Sequence, residues 1–354
     1  MNKPAGILAW PAYATREGNP YNYILYSNIE KKGYKVHEFM FTPRFVLRAL
    51  LFQNYKILHI HWPSSILSYS NHFKASLRLI LFRLFINTIK LFNKKVIWTV
   101  HNLEAHESKN AALQKKMYSF LYKKADGFIS LNRDGLKIIK EKAASAGRQK
   151  FCYIPHPHYR GYYPNETSME AARKQLSVPA GKFVILFIGQ IRTYKNVTGL
   201  IRAFKELDLE NKYLLIAGGV HPEVRDQLFK EAEGLDEFQL NEKFLPDSEL
   251  QVYLNASDLV VTPYSNIFNS GSVFLNLSFN KPTLAPALGI FPELREVAGP
   301  QYIKLFSGKL DSGQLLKSVV EVEAESDIVM QPDLSSFDPD HVASETIAFY
   351  EQFL

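Results

Sequence analysis

Short apolar runs rich in β-branched and aromatic residues alternate with stretches of helical period along the whole chain. In the first half the runs are Gly6–Trp10, Val36–Phe39, Ile57–His61, Val96–His101, Gly127–Leu131 and Cys152–Ile154. In the second half they are Phe183–Gly189, Tyr213–Ala217, Leu259–Pro263, Thr283–Ala285 and Tyr302–Leu305. Strands that are apolar on both faces and separated by helices build parallel, doubly wound sheets. Between the halves, residues 154–165 carry three prolines and no periodicity, which reads as a linker. The pattern predicts an α/β chain of two doubly wound domains facing each other across a cleft. The first spans 1–160 and the second 165–337, with a terminal helix over 338–354 returning toward the first. Asp338-Pro-Asp340 resembles a metal-binding Asp-x-Asp, but Asp and Pro before an apolar-periodic run read as a helix entrance.

Composition narrows the class. The 354 residues suit two domains, and 46% hydrophobic content is too high for disorder. The single cysteine, Cys152, excludes an internal disulfide framework and a cysteine-built metal site, and a reducing cytoplasm is the expected setting. Ala12 and Ala14 imitate a signal-peptide cleavage site, but the apolar run before them is short and ends at Pro11, so it reads as a buried first strand. Leu77–Phe92 is interrupted by Arg78, Arg83 and Lys90, and no run reaches the roughly 18 apolar residues of a membrane span. The net charge of +7 is regional: His72–Lys124 holds eleven basic residues against Glu104 and Glu107, so the rest of the chain is net acidic. An anionic partner surface near that region is expected. Nucleic acid is not, because the aromatic residues there sit in helical-period apolar stretches without a recognised module.

Doubly wound sheets bind ligands at the carboxyl ends of their strands. In the second half a strand runs into Gly189-Gln-Ile-Arg192-Thr-Tyr-Lys195-Asn196, where a guanidinium and an ammonium precede a helix N-terminus. That arrangement suits a diphosphate, although cations in surface loops are common. Ser270-Gly271-Ser272 opens a further apolar helix, either to present N–H groups and hydroxyls to phosphate oxygens or simply as a cap. In the first half the strand Val96–His101 leads into His101-Asn-Leu-Glu104-Ala-His106-Glu107, a dense acid–base cluster. An imidazole or carboxylate there can remove a hydroxyl proton. Metal ligation is the rival reading, but the spacing matches no helical His-x-x-x-His pattern. The loop Pro11–Tyr23, with Asn19 and Tyr21, lies at the corresponding strand end and is expected to hold acceptor or phosphate. His61 lines the same side, while His59 reads as a satisfied core residue.

These residues carry a resemblance. Phe187–Phe204 resembles the "G-R…K" element of group 1 glycosyltransferases with the GT-B fold, which consists of two Rossmann-like domains. Phe244–Tyr264 resembles their nucleotide-flanking strand–helix–strand, and Lys281–Pro286 with Gly289 and Pro292-Glu293 resembles the motif that follows. The resemblance implies a nucleoside diphosphate sugar donor, with no metal, its diphosphate between Arg192, Lys195 and Ser270-Gly271-Ser272. Gly189, Leu245 and Glu293 would contact nucleotide or sugar. His101 and Glu107 are the candidates for the base; Asn19, Tyr21, His61, Glu104 and His106 would lie on the acceptor side. Retaining members carry two glutamates eight positions apart where this chain has Ile267 and Leu275. In that respect the chain is similar to inverting mannosyltransferases of exopolysaccharide assembly. The reading is therefore an inverting transferase, GDP-mannose the favoured donor and a glycan or lipid-linked glycan the acceptor, at the inner face of the membrane. A retaining transferase and a non-catalytic nucleotide-sugar-binding subunit are the alternatives. The stretch 72–95, cationic and apolar at helical spacing, is expected to lie on an anionic membrane surface.

Overall fold

The apolar runs pair as parallel strands in a computed structural model that describes residues 6–51, 54–68, 71–103, 110–143, 147–325 and 331–354. The first half contains β1 (Gly6–Trp10), α1 (Tyr21–Lys31), β2 (Val36–Glu38), α2 (Pro43–Leu51), β3 (Tyr55–Ile60), α3 (His72–Leu91), β4 (Lys95–Val100), α4 (Ala111–Lys124), β5 (Gly127–Ser130), α5 (Arg133–Ala143) and β6 (Lys150–Tyr153). The six strands form one sheet in the order β2-β1-β3-β4-β5-β6. One face buries Trp98, Phe82, Phe85, Met117 and Leu121 beneath α3 and α4, and the other buries Ile7, Ile57, Ile97 and Tyr26 beneath α1. The sheet is thus covered on both sides, as its apolar runs require.

The second half contains α6 (Met169–Gln175), β7 (Phe183–Ile188), α7 (Val197–Lys205), β8 (Lys212–Ala217), α8 (Pro222–Ala232), β9 (Phe238–Asn241), α9 (Leu250–Ala256), β10 (Leu259–Val261), α10 (Gly271–Ser278), β11 (Thr283–Pro286), α11 (Phe291–Ala298), β12 (Ile303–Phe306) and α12 (Ser312–Ala324). Its strands are ordered β12-β11-β10-β7-β8-β9. The apolar pattern misses β9, because Phe-Gln-Leu-Asn is a half-buried edge strand with only two apolar residues.

The chain divides into two compact units, 158–334 and 1–157 with 335–354. The boundary falls inside the proline-rich segment, and each part of it is tied to its own unit. Ile154 N–H donates to the Ser130 carbonyl, whereas Tyr159 N–H donates to Ser278 Oγ at 2.8 Å. The last helix, α13 (Pro339–Glu351), belongs to the first unit. Asp338 caps it, accepting from Asp340 N–H at 2.8 Å. The helix lies against α1, with Tyr34 donating to Glu351 at 2.9 Å and Lys32 paired with Asp340 at 2.7 Å. Gly127 lets the chain end approach the sheet: a Cβ there would stand 2.7 Å from the Phe353 ring.

Candidate active site

In the second unit the strand β7 ends at Gly189, whose φ of +125° suits glycine alone. Gly218, at the end of β8, has φ +143°, and a Cβ there would collide with the Gly189 carbonyl. The two strand ends therefore touch backbone to backbone at the head of the following loop. That loop carries Arg192 and the half-buried Lys195. A Cβ on Gly189 would stand 3.3 Å from the Lys195 Nζ, so the missing side chain leaves the ammonium its place. Burial holds the Lys195 ammonium below its ordinary pKa, and the neighbouring Arg192 adds to that effect. Arg192 Nε donates to the Gln190 side chain at 3.1 Å, beside a depression of about 200 Å³ at the start of α7.

Tyr264 joins this loop to the start of α10. Its buried ring lies 5.4 Å from the Lys195 Nζ and packs on Tyr194 and Phe291. Its hydroxyl is 2.8 Å from Ser272 Oγ, which is 3.0 Å from Ser270 Oγ. Ser270 occupies the N-cap position of α10 without a side-chain cap bond, so its hydroxyl serves this polar row instead. The structure thus brings Gly189, Lys195, Ser270, Gly271 and Ser272 together around Tyr264, a hub that sequence reasoning passed over. The signal was present: a tyrosine directly after a buried strand and Pro263. Gly289 lets the turn before α11 approach the carbonyls of Ile267 and Phe268, and the half-buried Glu293 lies in the first turn of that helix. Leu245 is buried in the segment between β9 and α9. Cations and hydroxyls around a helix N-terminus can hold an anion of diphosphate size.

In the first unit, Glu104, His106 and Glu107 lie outside the described residues. His101 ends β4 inside a cluster that the sequence showed only in part. His61 Nδ1 is 3.0 Å from His101 Nε2, and Trp62 stacks on the His101 ring at 4.3 Å. Tyr26 from α1 reaches His61 Nε2 at 2.6 Å and His59 Nδ1 at 2.8 Å. Tyr350 from α13 reaches His59 Nδ1 at 2.6 Å, and His59 Nε2 is 2.7 Å from Thr99 Oγ1. Tyr21 and His61 are buried in this cluster, 2% and 1% exposed, with the Tyr21 ring edge-on to His61 and His101. They wall and support His101 instead of lining an open acceptor surface. The β1–α1 loop also differs from expectation: Glu38 accepts the N–H groups of Ala12, Tyr13 and Ala14 at 2.6–3.0 Å. This internal carboxylate fills the backbone cradle that a phosphate would need. Asn19 Oδ1 accepts from Tyr21 N–H at 3.3 Å and helps shape the start of α1.

Burial keeps the imidazoles neutral. It pushes His59 down to about 3 and His156 down to about 4, and it holds His61 and His101 well below the ordinary value of 6.5. A folded-state histidine pKa below the unfolded one means that the unfolded chain binds more protons on the acid side. Stability is complete above about pH 6.5 and is lost as pH falls through the window down to the folded value. Urea unfolding of this unit followed from about pH 6 to about pH 4 should show that loss. His59→Gln should flatten the slope by about 1.4 kcal/mol per pH unit. Equal slopes in both proteins would mean that His59 is not held neutral.

Comparison with known proteins agrees with this architecture. The family model described as Glycosyl transferases group 1 matches residues 168–295, within the second unit. Over 299 residues the chain is 26% identical to a GDP-mannose:glycolipid 4-β-D-mannosyltransferase of Xanthomonas campestris pv. campestris, covering 84% of this chain and 80% of the relative. Among solved structures, a sucrose-phosphate synthase from Thermosynechococcus elongatus superposes with a TM-score of 0.70 at 15% identity, covering 99% of both chains. HepE of Anabaena, solved in complex with UDP, gives a TM-score of 0.71 at 13% identity over 99% of this chain and 100% of that one. Likeness at such identities speaks for the fold, and it extends over both units. The second unit thus carries the group 1 glycosyltransferase motif over residues 168–295, and the chain has the GT-B fold along its length.

Proposed function

We propose that the chain transfers mannose from GDP-mannose to a lipid-linked glycan with inversion at the anomeric carbon. The observation that carries the reading is the cationic and hydroxyl cluster around Tyr264, whose ring lies beside the Lys195 ammonium and whose hydroxyl meets the Ser270–Ser272 row. The acceptor hydroxyl attacks the anomeric carbon from the side opposite the diphosphate. The bond to the diphosphate oxygen breaks, and GDP leaves with the electron pair. Lys195, Arg192 and the opening of α10 stabilise the charge that grows on the leaving group, so that cationic side chains serve where a divalent ion is otherwise used. A partly desolvated ammonium gains most when an anion arrives beside it. The segment that follows β4, from His101 to Glu107, supplies the group that takes the acceptor proton. Gly189, Leu245 and Glu293 complete the donor side.

Inversion is supported by Ile267 and Leu275, both half-buried aliphatic residues at the positions of the paired glutamates. The mannosyltransferase relative, whose printed name specifies a β-linked mannose and a glycolipid, supports the donor and the acceptor class.

A surface of the first unit supports action at a membrane. Helix α3 is apolar nearly all round: Leu79, Phe82, Phe85, Ile86 and Ile89 face the core, while Phe73, Leu77, Ile80, Leu81 and Leu84 are 45–76% exposed. Helix α2 adds exposed Leu47 and Leu51, which the sequence reading missed, with exposed Arg44 and Arg48; Lys74 is exposed on α3. Two of the expected surface cations are spent internally, and Ile89 is core. Lys90 pairs with Asp126 at 2.7 Å, and the buried Lys94 donates to the Tyr55 carbonyl at 2.7 Å. The remaining apolar stripe with its cations suits an anionic headgroup layer at the cytoplasmic face. No described helix is long and apolar enough to cross a membrane.

Three outcomes test the proposal. Incubated with GDP-mannose and a glycolipid acceptor, the protein should yield a β-mannosyl product, read from NMR coupling at the anomeric carbon; an α product means retention. Lys195→Ala should lower turnover by roughly 10²-fold with an unchanged melting temperature. Near-wild-type kinetics would remove Lys195 from the site. In flotation assays the protein should rise with anionic vesicles at low salt and less so with neutral ones, and Phe73→Ser with Leu84→Ser should abolish recruitment. Vesicle binding that ignores lipid charge, or survives both substitutions, counts against this surface.

A further inference from the structure

The loop after β7 is laced to the end of β10. Ser265 gives both its N–H and its hydroxyl to the Tyr194 carbonyl, at 2.9 and 3.0 Å. Lys195, which follows Tyr194, is thereby set against Tyr264, which precedes Ser265. The Lys195 Nζ lies 5.4 Å from the centre of the Tyr264 ring and 6.0 Å from that of Phe187. Among the described residues no carboxylate or carbonyl oxygen meets this ammonium. The titratable groups beside it are Arg192 and Tyr194 on its own loop and Tyr264 from the end of β10. Burial disfavours its charge, and two aromatic faces, electron-rich at their centres, favour it.

The other end of the same side chain acts on α10. The Tyr264 ring is buried and packed on Tyr194 and Phe291, so its hydroxyl has a fixed place. That oxygen is 2.8 Å from Ser272 Oγ and also bonds Ser270, and the two serine oxygens are 3.0 Å apart. A serine hydroxyl turns toward whatever partner stands nearest. Ser270 holds the N-cap position of α10, where a serine oxygen ordinarily takes up an N–H of the first turn, yet it makes no such bond. Held among three hydroxyls, it leaves those N–H groups to an incoming anion.

We propose that Tyr264 is the positioning residue of the diphosphate site: its ring holds the Lys195 ammonium in place, and its hydroxyl withdraws Ser270 from capping so that the start of α10 stays open to phosphate oxygens. One side chain thus prepares both the charge and the N–H donors without itself touching the substrate. The role in transfer rests on the donor reading above, whereas the hold on Lys195 can be read without any ligand.

Two measurements separate ring from hydroxyl. Tyr264→Phe keeps the ring and loses the hydroxyl; Tyr264→Leu loses both. In NMR titration of the lysine side chains, with Lys195→Met to assign the signal, Lys195 should lose its proton at a lower pH in Tyr264→Leu than in the wild type. Tyr264→Phe should titrate like the wild type. Equal titration in all three overturns the role of the ring. Calorimetry with GDP and with inorganic pyrophosphate near neutral pH reads the hydroxyl. Tyr264→Phe should weaken binding about 10-fold, because Ser270 turns back to cap α10. In a Ser270→Ala background the same substitution should cost less than about 2-fold, a coupling that a merely structural tyrosine would not produce. Equal costs in both backgrounds overturn the capping role. If Tyr264→Leu does not fold, the cycle with Tyr264→Phe, which keeps the packing, decides. Binding of pyrophosphate without GDP would overturn the nucleotide reading and leave the cycle to be judged on pyrophosphate. Binding of neither would overturn both.

Discussion

Burial of a parallel sheet on both faces is the constraint from which the rest of this molecule follows. Strands such as Phe183–Ile188 and Lys95–Val100 have no polar face to offer water, so helices must cover each side. Polar chemistry is thereby confined to the edge where the strands end. In the second unit that edge is shaped by the contact between Gly189 and Gly218, which admits no side chain. In the first unit it is shaped by imidazoles and phenols that must satisfy one another out of reach of water. Two carboxylates repeat a structural device at the opposite edges: Asp126 accepts from Val96 N–H and Lys90, and Asp258 accepts from Val184 N–H and Arg173. Each fixes the start of a central strand.

The two units use the same architecture for opposite electrostatics. The second places Lys195 and Arg192 on the loop after β7 and hydroxyls at the start of α10, an arrangement that favours an anion. The first has given its backbone cradle to Glu38, whose carboxylate holds three N–H groups of the β1–α1 loop. What it offers instead is a neutral, hydrogen-bonded row that includes His101. A neutral row suits a sugar hydroxyl better than a phosphate, because burial has made protonation of these rings costly.

Helix α3 shows how one element answers two demands. Its inner face supplies Phe82 and Phe85 to an aromatic layer with Trp10, Phe39 and Phe41. Its outer face keeps leucines and Phe73 in the open, a cost that a purely structural helix has no reason to bear. Lys90 and Lys94, which look like surface charges in a linear reading, are consumed in holding β3 and β4 in place.

Periodicity and residue type determined the parallel sheets, the placement of eleven of the twelve described strands, the two halves and the glycine- and cation-bearing loop after β7, because burial on both faces leaves an unmistakable apolar run and glycines and cations at strand ends are local signals. The edge strand β9 escaped because an exposed edge needs no apolar run. What only the tertiary structure decided are relations between distant residues. Tyr264 becomes a hub only when the loop after β7 folds over it. Glu38 fills the cradle of the first loop from 24 or more residues away, and Tyr350 reaches His59 across 291 positions. Hydrogen bonds are satisfied in three dimensions, so a buried polar residue's partners are settled by the packing of whole elements, which no spacing along the chain records.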